Sequence, residues 1–316
     1  MTTSVTILVP VMNEAETILS LASRVADVMA PLDGYRYEIV FIDDGSQDDT
    51  WSKICEAADS LPHVRGLCLR RNFGKAAALQ QGLKHSDGDL VITMDGDLQD
   101  DPSELPRFLS EIAQGADLVS GWKEKRHDPL GKTLPSRLFN LVTAKVSGIK
   151  LHDFNCGFKA YRREIFDDVT LYGELHRFVP VLAHAAGYKV AELSVHHHPR
   201  EHGKSKYGMG RLFKGLLDLL TVVTITRFGS RPGHLFGGVG LLIGAAGVCI
   251  NGWLTIEWFR GEAIGHRPLL ALGMLLCIVG VQFVLFGLLA ELLISGKRVD
   301  LPGSAVKRRT GQDTAG

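Results

Sequence analysis

The chain has little cysteine and no cysteine pattern. Five cysteines (Cys55, Cys68, Cys156, Cys249, Cys277) are dispersed over 316 residues, no C-x-x-C pair occurs, and two lie inside apolar runs. No disulfide framework is written there, and the thiols are expected to be reduced and mostly buried, in a cytoplasmic setting. Net charge is missing too, since 35 Lys and Arg balance 35 Asp and Glu. Without a basic surplus, nucleic acid is not expected as a partner. The amino terminus, MTTSVTILVPVMNE, lacks a basic n-region and turns polar within about ten residues, so no signal peptide is expected. Core material is plentiful: 45% of the residues are hydrophobic, and 316 residues suffice for one large globular domain plus something smaller.

The zero net charge conceals a gradient. Residues 1–119 carry 9 basic and 20 acidic side chains (net −11), residues 120–232 carry 19 and 10 (net +9), and residues 233–316 carry 7 and 5 (net +2). An acidic first segment suits a cation, and a basic second one suits phosphates or an anionic membrane surface.

Short β-branched runs alternate with helical patterns through the first third: VTILV (5–9), YEIVFI (37–42), VRGLCL (64–69), DLVITM (89–94) and DLVSG (117–121). Between the first two, Ile18, Leu21, Val25 and Val28 recur at helical spacing. The alternation predicts an α/β fold, a parallel sheet with helices on both faces. Such sheets bind ligands outside the carboxyl ends of their strands. The loops due there are polar and distinctive: PVMNE, DDGSQDDT, RRNFGK and MDGDLQDD.

From Arg211 the texture changes to RLFKGLLDLLTVVTITRF, an amphipathic stretch suited to a membrane interface. Two apolar segments follow, 235–259 and 269–294, each above the ~20 residues that span a bilayer. Basic residues flank them on both outer sides, with Arg260 and Arg267 in the hairpin between, and the positive-inside rule places both termini in the cytoplasm. GVGLLIG (238–244) follows no strand and so does not read as a dinucleotide fingerprint; Gly240 and Gly244 form the G-x-x-x-G of helix packing. The expected organisation is a catalytic domain over 1–207, an interfacial segment over 208–232, a transmembrane hairpin over 233–295 and a basic tail over 296–316.

The stretch ITMDGDLQDDP (92–102) places four aspartates just past a strand end. Two aspartates one residue apart around a glycine can turn toward one hard divalent cation, and oxygen ligands suit Mg²⁺ or Mn²⁺. Asp95 and Asp97 fit, with Gln99 as a further polar ligand, while Asp100, Asp101 and Pro102 read as the start of the next helix. An Asp-x-Asp taken alone is equally at home in a capping turn. His196, His197 and His198 invite a metal reading, but in a strand they alternate sides and only two could converge.

PVMNE, IDDGSQDDT, RRNFGKAAALQQGL, MDGDLQDDP, HDFNCGFKAYRR, GELHRF and HHHPREHGKSKYG, in this order, resemble the polyprenyl-phosphate glycosyltransferases of glycosyltransferase family 2. The relatives in view are dolichol-phosphate mannose synthases and, closer because of the two apolar spans, bactoprenol-phosphate glucosyltransferases. The resemblance implies a GT-A type nucleotide-sugar domain with a mainly parallel sheet, Mg²⁺ or Mn²⁺ as cofactor, and transfer of a sugar from a nucleotide diphosphate to a polyprenyl phosphate with inversion. It also implies roles. Pro10, Asn13 and Glu14 resemble the first nucleotide loop, Asp43 and Asp44 the residues near base and ribose, Lys75 a donor contact, and Asp95, Asp97 and Gln99 the metal and diphosphate site. Lys123 falls where the mannose synthases carry an arginine that resembles an acceptor-phosphate ligand, with Arg126 and Arg137 as neighbouring candidates.

Departure of a nucleoside diphosphate builds charge on its β-phosphate, and a cation stabilises that charge. Lys204 and Lys206 of GKSKYG are candidates to close over the same phosphates. The acceptor phosphate is already mostly anionic at neutral pH, so a strong general base is dispensable. Asp153 in HDFNCGF is a candidate for orienting the acceptor, or for a cap or turn; His176 and Arg177 in GELHRF serve the site or cap a helix. A processive polysaccharide synthase is disfavoured because no Q-x-x-R-W occurs. The expected enzyme is an inner-membrane, multi-pass hexosyltransferase, a homo-oligomer with a tetramer as one form, using a UDP-sugar. GDP-mannose is the alternative donor, and a non-catalytic scaffold with this fold the alternative of a different class.

Overall fold

The computed structural model describes residues 2–123, 140, 143–144, 147–169, 175–198, 232–265 and 267–295. They form two units, one built on a sheet and one a pair of long helices.

In the first unit the strands β1 (Thr3–Val11), β2 (Tyr35–Asp43), β3 (Val64–Cys68), β4 (Leu90–Thr93), β5 (Leu118–Lys123), β6 (Lys159–Arg162) and β7 (Val190–Val195) form one seven-stranded sheet in the order β3-β2-β1-β4-β6-β5-β7. All five expected strand runs are present, in parallel register where they meet: β1 pairs β2 from Thr3↔Tyr35 to Val11↔Asp43, and β4 from Val5↔Leu90 to Leu8↔Thr93. The sheet is mainly parallel, as expected, and β6 is the strand that departs from it. It runs antiparallel to both β4 and β5. With four residues, two of them basic, KAYR carries no apolar alternation to announce a strand.

The central strands are apolar on both faces because both are covered by helices. Ile7 and Val9 face a core made with Ile18, Leu21 and Val25 of α1 (Ile18–Met29), Ile54 of α2 (Thr50–Ser60) and Phe108 of α4 (Leu105–Ala113). Leu8, Val40 and Ile42 face the opposite layer, which holds Ala78 and Leu79 of α3 (Lys75–Lys84), Ile165 of α5 (Ile165–Asp168) and Val179 of α6 (Val179–Ala185). Each such Ile or Leu, fully buried, contributes roughly 1.5–3 kcal/mol of transfer free energy.

This topology gathers one edge. The carboxyl ends of β1, β2, β3, β4, β5 and β7 all open there, and because β6 is reversed, the segment before it, HDFNCGF, reaches the same edge. Pro10 shows how β1 leaves the sheet. The β4 ladder stops at Leu8↔Thr93, so the N–H that proline lacks has no partner to miss.

The second unit is α7 (Pro232–Phe259) and α8 (Pro268–Ser295), each 28 residues and each opening on a proline, a favoured first helical residue. Within them 27- and 26-residue stretches are long and apolar enough to cross a membrane, and only a minority of each is buried. Glycines let them touch. A Cβ on Gly280 would lie 2.7 Å from Gly244 Cα, and one on Gly240 2.6 Å from Gly280 O, so the G-x-x-x-G pair packs backbone against backbone. The amphipathic segment 208–232, apart from the helix start at Pro232, and the tail 296–316 lie outside the described residues.

Candidate active site

The loops at the gathered edge are stitched together by main-chain hydrogen bonds. Asn13 adopts a left-handed conformation (φ 53°) in which its N–H donates to Ser46 Oγ at 2.9 Å while its Oδ1 accepts from Gln47 N at 2.8 Å. Glu14 N donates to Thr50 Oγ1 at 2.9 Å. The first two loops therefore form one body. Asp43 and Asp44 lie beneath it, both buried. Asp43 Oδ1 accepts from Ser46 N at 2.8 Å, and the two Asp44 oxygens accept from Phe73 N at 2.8 Å and Gly74 N at 2.9 Å, which draws the RRNFGK loop against DDGS. Gly45 is required at that seam, because at φ 76° a Cβ would sit 2.5 Å from Arg71 C. Both carboxylates thus shape the loops around a ligand position.

α3 begins at Lys75, and its ammonium donates to Asp95 Oδ1. Asp95 and Asp97 bracket Gly96, where a Cβ would meet Val11 Cγ1 at 2.5 Å; Thr17 Oγ1 donates to Gly96 O at 2.6 Å. Asp97 Oδ1 accepts from Gln99 N at 3.3 Å across Leu98, which holds φ 59°. The Gln99 amide donates to His198 O at 3.3 Å. On the far side Gly157 lies flat against the Asp95 carboxylate, with Thr93 Oγ1 donating to Gly157 O at 2.8 Å.

Burial disfavours an ionised Asp95, but the ammonium groups of Lys75 and Lys123 outweigh it and hold the carboxyl well below the usual carboxylate range. Asp95 is therefore a charged carboxylate throughout the physiological range. His176 has the opposite fate: burial first, then the cations Lys75 and Arg177, push its imidazole well below the ordinary value, so it is neutral beside the site, and its Nδ1 is buried without a hydrogen bond. Burial also lowers Lys159, whose ammonium donates to the carbonyls of Cys156 and, at 3.5 Å, Phe154, bracing the HDFNCGF segment from below.

Lys123 sits at the centre of this edge. Its side chain is 15% exposed and its Nζ lies 3.3 Å from Oδ1 of Asp100, which is 1% exposed. Burial opposes the ammonium, yet the Asp100 carboxylate raises its pKa above the ordinary lysine value. Asp153 is buried, accepts from Asn155 N at 3.0 Å and gives its own N–H to Glu192 Oε1 at 3.1 Å, so it closes a turn in the segment that lines the site. Arg126, Arg137, Lys204 and Lys206 lie outside the described residues.

Two features escaped the sequence reading. Asp101 and Pro102 do start the next helical turn, Asp101 Oδ1 accepting from Ser103 N at 2.9 Å, but Asp100 turns inward to Lys123. The three histidines do not converge, as their alternation along a strand implied, but the acidic partner that each one meets was not foreseen. His196 Nδ1 meets Glu104 at 2.8 Å, His197 Nδ1 stands 4.0 Å from Asp100, and His198 Nε2 meets Asp101 at 3.2 Å. The adjacent acids of QDDPSE, matched by adjacent histidines, were the available signal.

Among the described residues no three His, Cys, Asp or Glu side chains converge as an ion site. Two carboxylates of partial exposure, on a loop also approached by cations, suit instead a hard ion that shares its coordination with substrate phosphates. The donor set fits Mg²⁺ or Mn²⁺.

Gly157→Ala would press a methyl group to 2.7 Å from Asp95 Oδ2. The expected result is a folded protein whose Mn²⁺ affinity, measured calorimetrically, falls about tenfold, as outer-shell changes do. Unchanged affinity would mean that the carboxylate moves aside at no cost to the ion site.

Residues 6–170 match the model of Glycosyl transferase family 2. The chain is 40% identical over 297 residues to a dodecaprenyl-phosphate galacturonate synthase of Rhizobium johnstonii, with 91% of this chain and 86% of that protein covered. It is 36% identical over 292 residues to an undecaprenyl-phosphate 4-deoxy-4-formamido-L-arabinose transferase of Pseudomonas fluorescens, at 92% and 84% coverage. Among solved structures, glucosyl-3-phosphoglycerate synthase of Mycobacterium tuberculosis, in complex with Mn²⁺, UDP and glucosyl-3-phosphoglycerate, is similar with a TM-score of 0.53 at 18% identity, over 71% of this chain and 80% of that one. That likeness is one of fold: a GT-A-like α/β domain.

Proposed function

The chain belongs to glycosyl transferase family 2 and is a glycosyltransferase, and from that premise we propose that it moves a sugar from a nucleotide diphosphate to a polyprenyl phosphate at the cytoplasmic face of a membrane. The observation that carries this reading is the meeting of Asp95, Asp97, Lys75 and Lys123 at one sheet edge in a chain that also holds two apolar 28-residue helices. Both relatives are named for sugar transfer to a polyprenyl phosphate.

On this reading each site residue has a role. The interlocked loops carrying Pro10, Asn13, Glu14, Asp43 and Asp44 form the nucleoside side. Asp95 and Asp97, with Gln99, hold a Mg²⁺ or Mn²⁺ ion, which when bound neutralises charge on the departing diphosphate. Lys75 serves the donor phosphates, and Lys204 and Lys206 of the basic loop are assigned to the same task from their sequence. Lys123, with Arg126 and Arg137, serves the acceptor phosphate, whose second pKa of about 6 leaves it mostly dianionic at neutral pH and therefore a competent nucleophile without a strong base. Asp153 orients the segment beside the acceptor. Direct attack of the acceptor oxygen on the anomeric carbon, with the nucleoside diphosphate leaving from the other side, inverts the configuration. The catalytic domain occupies 1–207, the interfacial segment 208–232, the hairpin 233–295 and the tail 296–316. The enzyme works as a homo-oligomer.

A UDP-sugar is the favoured donor. Purified protein, undecaprenyl phosphate and a panel of UDP-hexoses, UDP-uronic acids, a UDP-linked amino-arabinose derivative and GDP-mannose, each with Mn²⁺ or Mg²⁺, should yield one glycosylated lipid by mass spectrometry. Product only with GDP-mannose replaces the donor assignment, and no metal-dependent product with any donor removes the catalytic reading in favour of a scaffold.

Topology gives an independent expectation. A cysteine at Gly265, between Arg260 and Arg267, should react with an impermeant thiol reagent from outside the cytoplasm, and one at Ser304 should not. The reverse pattern refutes the orientation.

A further inference from the structure

We propose that Asp100 is a positioning residue for both substrates: one carboxylate oxygen sets the main chain of Asp95 for its cation, and the other sets the Lys123 ammonium for the acceptor phosphate. The inference rests on the transferase reading above, since it takes Asp95 as an ion ligand and Lys123 as an acceptor ligand.

Asp100 is 1% exposed, too deep to meet a ligand itself. Oδ2 accepts from Asp95 N at 3.1 Å, and Oδ1 lies 3.3 Å from Lys123 Nζ. A carboxylate so desolvated persists only where its charge is met: among the described residues Oδ1 accepts no hydrogen bond and is met by the Lys123 ammonium, with His197 Nδ1 4.0 Å away, so the nearest partner of each oxygen is a residue of the proposed chemistry. The carboxylate is itself held. A main-chain bridge joins Asp100 to His197, His198 N donates to Gln99 O at 2.9 Å, and the flanking pairs His196 with Glu104 and His198 with Asp101 clasp the same turn from either side. The end of β7 thus fastens the aspartate loop to β5 through one buried side chain.

The test separates the two oxygens. Asp100→Asn keeps an acceptor for the Asp95 N–H and removes the charge that holds Lys123; Asp100→Ala removes both. Mn²⁺ affinity, measured by calorimetry on the full-length protein without donor or lipid, should fall at least about tenfold in Asp100→Ala and stay within about threefold of wild type in Asp100→Asn. Asp100→Asn should instead raise the KM for undecaprenyl phosphate about fivefold or more, with the donor KM unchanged. A purely structural role would lower the melting temperature of both variants and leave the affinities of the folded fraction alone. Wild-type Mn²⁺ affinity in folded Asp100→Ala overturns the Asp95 arm, and an unchanged lipid KM in Asp100→Asn overturns the Lys123 arm. Should Asp100→Ala fail to fold, a tenfold loss of Mn²⁺ affinity in Asp100→Asn overturns the Asp95 arm instead. If no lipid product forms even in the wild type, the transferase reading falls while the Mn²⁺ comparison still decides the metal arm.

Discussion

Asp97→Ala should lower turnover by at least about two orders of magnitude, or roughly 2.7 kcal/mol of barrier, in a protein that remains folded. Asp97 is the cleaner of the two carboxylates to remove. It is partly exposed, lies outside the hydrophobic core, and its Oδ1 accepts a long hydrogen bond of 3.3 Å from Gln99 N within its own turn. Asp95, by contrast, also balances Lys75 and Lys123, so its removal would change the charge balance around both lysines as well as the proposed ion site. Circular dichroism and a melting curve establish folding. Steady-state kinetics at saturating Mn²⁺, with undecaprenyl phosphate and the accepted donor, give the rate. Turnover within a few-fold of wild type would remove Asp97 from the metal site.

Lys123→Ala should cost stability as well as acceptor binding. Considered only as a phosphate ligand, the lysine would be expected to act on one substrate, with a tenfold to hundredfold fall in kcat/KM for the lipid, roughly 1.5–3 kcal/mol, and donor affinity within about twofold. The buried pair with Asp100 adds a second consequence. Truncation strands a carboxylate that is 1% exposed, and breaking a buried pair from one side costs about 3–5 kcal/mol. Chemical denaturation should therefore show a loss of about that size in Lys123→Ala at neutral pH. Lys123→Arg restores the charge and should recover most of the stability, though a planar guanidinium meets the acceptor differently. A melting curve for Lys123→Ala that overlays wild type would mean that the pair contributes nothing, and collapse of donor affinity would move Lys123 into the nucleotide site.

The strands were legible because central strands covered on both faces must be almost uniformly apolar, and runs such as VTILV and YEIVFI have no other economical use. The two long helices were legible for the same reason at greater length. The spacing of Asp95 and Asp97 was legible as a pair of carboxylates just past a strand end, while their reading as ion ligands drew on the family resemblance, since a capping turn has the same letters. β6 was hidden. Its buried Lys159 makes a core strand look polar, and only carbonyls of the preceding segment, brought beneath it by the reversal of direction, make that burial tolerable.

Local composition determined which segments become strands and spans and where acidic loops fall, because those outcomes depend on side chains within a few residues of one another. The tertiary structure alone decided which charges meet. Asp43 and Asp44 are donor-site candidates in a list of letters, and the fold gives them a structural part as well: Asp43 Oδ1 and both Asp44 oxygens accept main-chain N–H bonds, those to Asp44 from a loop about 30 residues away. Asp100 looks like a helix start and is a buried hinge between β4, β5 and the end of β7. A carboxylate's role turns on whether water or a partner solvates it, and in this fold that was settled by sheet order, which set Lys123 of β5 and His197 beyond β7 beside a loop that follows β4.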